Sequence, residues 1–311
     1  MSKRGSPKTK LLKITIMKTK ILVLGFFAIL SLQSCSKDDK ETNSVVSTEE
    51  AKVNSKIDIA VDDVMQIVES EFQETQNNAG TENRSTATNS ANFRLTTCGT
   101  VSRVPSFGTP LTLGTEVTKT ITFGTEAEGC TLANGNVVKG TIIVTFTYQP
   151  GATSHTINYQ FVNFYHNLIE LNGNRTFTRT LNPETQIPIV VMNMDMTAAF
   201  PDGRTFTRIG TRTRTIIVGF DTPNILSDNI YQVTGNWTTT FPNTNIQTST
   251  ITTPLLVKMS CIAANKPLLV QGVITYERDD NSATLDYGTG DCDNLAVYTI
   301  NGNSYDIVIG N

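Results

Sequence analysis

Strict alternation is the feature that most constrains this chain. The segments KGTIIVTFTY (139–148), HTINYQFVNF (155–164), RTFTR (175–179), VVMNMDMTAAF (190–200), RTRTIIVGF (212–220), NWTTTF (236–241) and VITYER (273–278) alternate, or run together, β-branched and aromatic residues. A period of two sends successive side chains to opposite faces of a strand. Between these runs stand QPGATS, NPETQ, FPDG, DTPN, PNTN and NGN, whose Pro, Gly, Asn and Asp supply turn backbone. No long helical pattern falls between strands, which argues against βαβ units and a parallel sheet. The expected fold is mostly β: an antiparallel meander over residues 94–311, forming a large twisted sheet, a sandwich or a partly open barrel.

A faint repeat runs through it. Gly140, Gly173, Gly203, Gly235, Gly272 and Gly302 each precede a strand-like run, at intervals of 30 to 37 residues. Successive hairpins of one sheet would give such spacing, with a turn or bulge at each glycine.

Helical periodicity occurs once, over residues 47–76. Ile57, Val61, Val64, Val68 and Phe72 form one apolar stripe, while Asp58, Asp62, Asp63, Glu69 and Glu71 are expected mostly on the other side. Ser47 or Thr48 can cap it, with Glu50 near the third helical position. One amphipathic helix therefore precedes the β-domain, either docked on it or paired with a partner. Residues 77–93 are polar, without aliphatic anchors, and read as a linker.

The N-terminus reads as an address. Residues 1–34 carry seven Lys/Arg and no Asp/Glu. From Met17, which we take as the true start, Lys18 and Lys20 precede the twelve-residue apolar run Ile21–Leu32. A span needs about 20 residues, so residues 1–34 are a signal peptide. The run closes on Leu32-Gln33-Ser34-Cys35, which resembles the lipobox of bacterial lipoproteins, in which the cysteine is lipidated and becomes the mature N-terminus. The following SKDDKE resembles the export signal of Bacteroidota surface lipoproteins. The resemblance implies a membrane partner reached through lipid on Cys35, a tether over 35–46, and an outer-membrane location facing the cell surface or, alternatively, the periplasm. The β-domain also resembles segments of β-rich lipoproteins of that group, which implies an origin and no activity. Without residues 1–34 the chain is acidic, and residues 36–93 hold 12 Asp/Glu against 5 Lys/Arg. Nothing in it is an electrostatic footprint for nucleic acid.

Four further cysteines, Cys98, Cys130, Cys261 and Cys292, are even in number in an oxidising compartment. Separations of 32 and 31 residues favour Cys98–Cys130 and Cys261–Cys292.

Chemistry is sparse. The G-x-S-x-G, H-E-x-x-H, P-loop and G-x-G-x-x-G motifs do not occur, and there are two histidines, His155 and His166. Arg175 and Arg179 share a strand face with Phe177, Arg204 and Arg208 with Phe206, and Arg212 and Arg214 follow beyond a Gly210 that is expected to shift the register. An Arg-rich face suits an acidic glycan or another anionic envelope ligand; alternatively it is a solvated face of cross-strand pairs. Asp286, Asp291, Asp293 and Asn294 crowd near Gly288 and Gly290. Hard oxygen ligands suit Ca²⁺, but the spacing is that of no EF-hand, and the same residues make tight turns. No other cofactor is implied. The expected function is a non-catalytic lipoprotein domain for ligand binding or an envelope role. The alternatives are a hydrolase acting on a surface polymer and a carrier of an apolar ligand.

Overall fold

The structure is a computed structural model and describes residues 47–77, 98–124, 129–222 and 225–310. The readings of the leader, Cys35, the tether and most of the linker lie outside these residues.

The fold is mostly β, as expected, with one N-terminal helix, α1 (Thr48–Asn77). The strands are β1 (Thr100–Val104), β2 (Glu116–Phe123), β3 (Cys130–Thr131), β4 (Val137–Thr147), β5 (Ser154–His166), β6 (Ile169–Asn172), β7 (Asn174–Leu181) and β8 (Pro188–Ala199). They continue as β9 (Thr205–Val218), β10 (Ile230–Thr240), β11 (Ile246–Lys258), β12 (Leu269–Arg278), β13 (Asn281–Thr289), β14 (Leu295–Ile300) and β15 (Asn303–Val308). All fifteen join one antiparallel sheet in meander order, with β6 and β7 sharing the place between β5 and β8 and β3 appended to β4. The sheet is partly ring-like and does not close into a barrel.

Bulges at three of the repeat glycines contribute to the curvature. Register shifts occur across Gly140, Gly235 and Gly272, each inside a strand. Gly140 has φ +90°, and a Cβ there would lie 1.9 Å from the Asn163 carbonyl oxygen. A bulge adds a residue to one strand and bends it. Gly203 and Gly302 occupy turns, and Gly173 separates β6 from β7. Gly210 behaves differently from the expectation. Register runs through it unbroken on both sides, against Met194 and Trp237. Its missing side chain gives Trp237 room, since a Cβ would meet the Trp237 backbone at 2.4 Å.

α1 lies in the concavity of this sheet. Its side chains bond to β2, β5, β9, β11, β12 and β13, strands from both halves of the order, so the sheet curves around it. The capping box is formed: Glu50 N–H donates to Ser47 Oγ at 3.1 Å, and Ser47 N–H to Glu50 Oε2 at 2.8 Å. The stripe Ile57, Val61, Val64, Val68 and Phe72 is fully buried. Each such side chain contributes roughly 1.5–3 kcal/mol. Contrary to the amphipathic expectation, Asp58, Asp62, Asp63, Glu69 and Glu71 are buried as well. The outer face of the sheet carries threonine pairs such as Thr118–Thr145, Thr122–Thr141 and Thr252–Thr275. Among the described residues no helix is long and apolar enough to cross a membrane.

Both disulfides form as spacing implied. Cys98–Cys130 ties the start of β1 to β3, and Cys261–Cys292 links the β11–β12 and β13–β14 connections.

Three outcomes are expected. Gly140→Ala should cost about 2–4 kcal/mol in urea unfolding. Gly302→Ala, in a turn with nothing within 4 Å of its Cβ, should cost about 1 kcal/mol. Reducing either disulfide should cost about 3–4 kcal/mol, read by unfolding single Cys-pair→Ser variants.

Candidate functional site

Polar side chains of α1 meet a row of arginines on β9. On a strand, even-numbered residues share a face, so Arg208, Arg212 and Arg214 all point inward, and all three are buried. On α1, Asn54, Asp58, Asp62, Gln66 and Glu69 recur every three or four residues and line one side. The spacings match. Six residues of strand, Arg208 to Arg214, cover about 20 Å at 3.3 Å per residue. Eleven residues of helix, Asp58 to Glu69, cover about 17 Å at 1.5 Å each. Helix and strand therefore run alongside each other with their charges in step.

Asp58 is the hub. Its Oδ1 accepts from Arg208 Nη1 at 2.6 Å and Arg212 Nη2 at 2.5 Å, and its Oδ2 from Tyr287 Oη at 3.2 Å. Arg208 also donates to Asn54 Oδ1 at 2.7 Å, and Asn54 donates in turn to Gln247. The Trp237 ring lies under both guanidinium groups, 4.4 Å from that of Arg212. Arg214 donates to Glu69 at 2.6 Å and Gln66 at 3.0 Å and covers the Tyr231 ring. Burial, together with the Asp58 charge, pushes the Tyr276 and Tyr287 hydroxyls well above the usual tyrosine range. Asp62 is placed differently. Its nearest cation is Arg212 Nη1 at 3.5 Å, and neither of its oxygens accepts a hydrogen bond. Burial pushes its carboxyl up to about 6, with Arg212 opposing the shift.

Other sides of α1 are bound equally closely. Asp63 accepts from Asn134 at 2.8 Å and Asn136 at 2.7 Å and lies 2.8 Å from His166 Nε2. Glu71 meets Lys119 at 3.1 Å. At the rim Glu49 meets Arg204 and Glu50 meets Arg278, and at the far end Gln76 bonds the backbone of Thr147 and Gln149.

The six arginines of the sequence pattern therefore divide. Arg208, Arg212 and Arg214 grip carboxylates of their own chain. Arg204 is partly exposed and bonds Asp202 and Glu49. Arg175 is buried with no carboxylate within ion-pair distance among the described residues; it lies over Phe161 at 4.8 Å and donates to Met196 Sδ and Tyr159 Oη. Arg179 is half-buried, and burial lowers its guanidinium below the usual range. The adjacent His155 packs on Phe72, and burial first, then Arg179, pulls its imidazole down.

The acidic turn lies elsewhere, beside an open hollow of about 240 Å³ lined by Asp286, Asp291, Asp293 and Asp306 with Leu295 and Val297. Asp286 caps the Gly288 N–H and Asp293 the Leu295 N–H, while Asn294 accepts from Lys266. Among the described residues no three His, Cys, Asp or Glu are grouped closely enough to hold a metal ion. Asp306 was not foreseen from sequence; it reaches this place through the β14–β15 register, opposite Val297.

Set against family models, curated proteins and solved structures, the chain matches none.

Asp58→Ala should cost about 3–5 kcal/mol, because it leaves two buried guanidinium groups without their shared anion. Asp202→Ala, at the solvated rim, should leave the unfolding midpoint unchanged. Urea denaturation of both variants checks this.

Proposed function

We propose that the protein is a membrane-anchored surface lipoprotein whose β-domain has a non-catalytic role, binding an envelope ligand or bracing the envelope. The observation that carries this reading is Leu32-Gln33-Ser34-Cys35 followed by SKDDKE. A single acyl chain holds a membrane only marginally; a lipoprotein cysteine carries two or three.

The position of α1 fits this role. Thr48 lies thirteen positions past Cys35, so an extended tether reaches at most about 45 Å. Load on the tether enters the domain through α1, whose first turn is tied to the rim by Arg204 and Arg278 and whose next turns are held by the Asp58 hub. A domain whose innermost element is also its attachment point suits a brace. For an acidic glycan, Arg204 and Arg179 are the members of the arginine set with surface to offer.

The alternatives draw less support. An apolar carrier needs an interior volume that α1 fills. A hydrolase could draw on the His166–Asp63 pair, yet both side chains are almost fully buried and Asp63 also serves Asn134 and Asn136.

Cys35→Ala should move the protein from the membrane to the soluble fraction; continued membrane attachment overturns the anchor. Protease added to intact cells should digest the wild type, and protection would place it on the periplasmic side. A glycan and envelope-ligand binding screen on the anchored protein separates the binding role from the bracing role.

A further inference from the structure

Three carboxylates fall within six residues of α1, and the structure treats them unequally. Asp58 accepts from Arg208, Arg212 and Tyr287. Asp63 is met by Asn134, Asn136 and His166. Asp62, between them and about as deeply buried, accepts nothing on either oxygen. The guanidinium nearest to it is already committed: Arg212 gives Nη2 to Asp58 at 2.5 Å, while its Nη1 stops 3.5 Å from Asp62 and bonds to nothing.

We propose that Asp62 is a proton-binding site within the helix–sheet seam, so that one proton sets how tightly α1 is held by the sheet. The groups facing it are Asp58 and Asp63 on its own helix, Arg212 and Arg214 on β9, and Tyr287 on β13. With Asp62 ionised, three adjacent buried carboxylates share this surrounding, and one has no hydrogen bond. A buried charge is tolerable when it is paired and bonded, and Asp62 has half of that. Protonation removes the unbonded charge and leaves Arg212 to Asp58.

The direction follows from linkage. The folded carboxyl takes its proton near pH 6, against 3.8 for the ordinary group. Folded protein therefore binds this proton more tightly than unfolded protein does. The stabilisation is fully present below the unfolded value and is lost as pH rises through the folded one. The seam is tightest in mild acid and looser at neutral pH.

The test compares the detergent-solubilised full chain with its Asp62→Asn variant by thermal unfolding between pH 4 and 8. The two melting temperatures should coincide near pH 4. Between pH 4 and 7 the variant should gain a few degrees over the wild type, after which the gap stays constant. A gap that does not change with pH, or one that grows in favour of the wild type, overturns the proposal. Should Asp62→Asn fail to fold, hydrogen exchange on the wild type decides. After correction for intrinsic rates, α1 amides should lose protection from pH 5 to 7 relative to β9 amides, and parallel behaviour of the two elements overturns it.

Discussion

The contact of Asp58 with Arg208 and Arg212 is the constraint on which the rest of the molecule depends. A concave face that carries Arg208, Arg212 and Arg214 cannot close over a purely apolar filling, because each guanidinium would lose water and gain nothing. A helix carrying Asp58, Asp63, Glu69 and Glu71 among its valines cannot be a stable core alone for the opposite reason. Each element solves the other's problem. Buried pairs of this kind add little net stability over apolar packing but lose much when one partner is removed. Here they match β9 to α1, with Arg208, Arg212 and Arg214 each finding an acceptor on the helix.

The shape of the sheet follows. To reach Lys119 on β2 and Tyr287 on β13 from one helix, the strands must wrap. The bulges at Gly140, Gly235 and Gly272 allow them to do so without breaking the ladder. The wrapping leaves β1 and β15 as separate edges, and the two disulfides staple connections near those edges rather than the centre of the sheet.

Much of this could be read from sequence where a residue's type decides its place. Alternation gave away most strands and the antiparallel order, parity and spacing the disulfides, Ser47 and Glu50 the helix start. β11 was harder, because IQTSTITTPLLVK mixes threonine with a proline and hides its period. The site is hidden from the sequence for a physical reason. Arg and Asp are usually solvated, so the inward row of β9 read as a surface and the acids of α1 as decoration. Only their pairing makes burial tolerable, and pairing across some 150 residues leaves no local mark. A clue did exist: carboxylates spaced for about 17 Å of helix beside arginines spaced for about 20 Å of strand. Trp237, which supports both guanidinium groups, had no signal beyond being the one tryptophan.

The place of α1 in the chain sets a timetable. It is made before every described strand, yet its partners arrive late: Arg208 lies 150 residues beyond Asp58 and Tyr287 lies 229 beyond it. Until then the helix has neither apolar cover nor counter-charges, and a helix within a protein draws most of its stability from such packing. Contacts this remote make folding slow. The nascent chain must therefore keep its future centre unassembled until Arg208 and then Tyr287 have been made, which is the condition a polypeptide needs if it is to be threaded through a narrow passage before it folds.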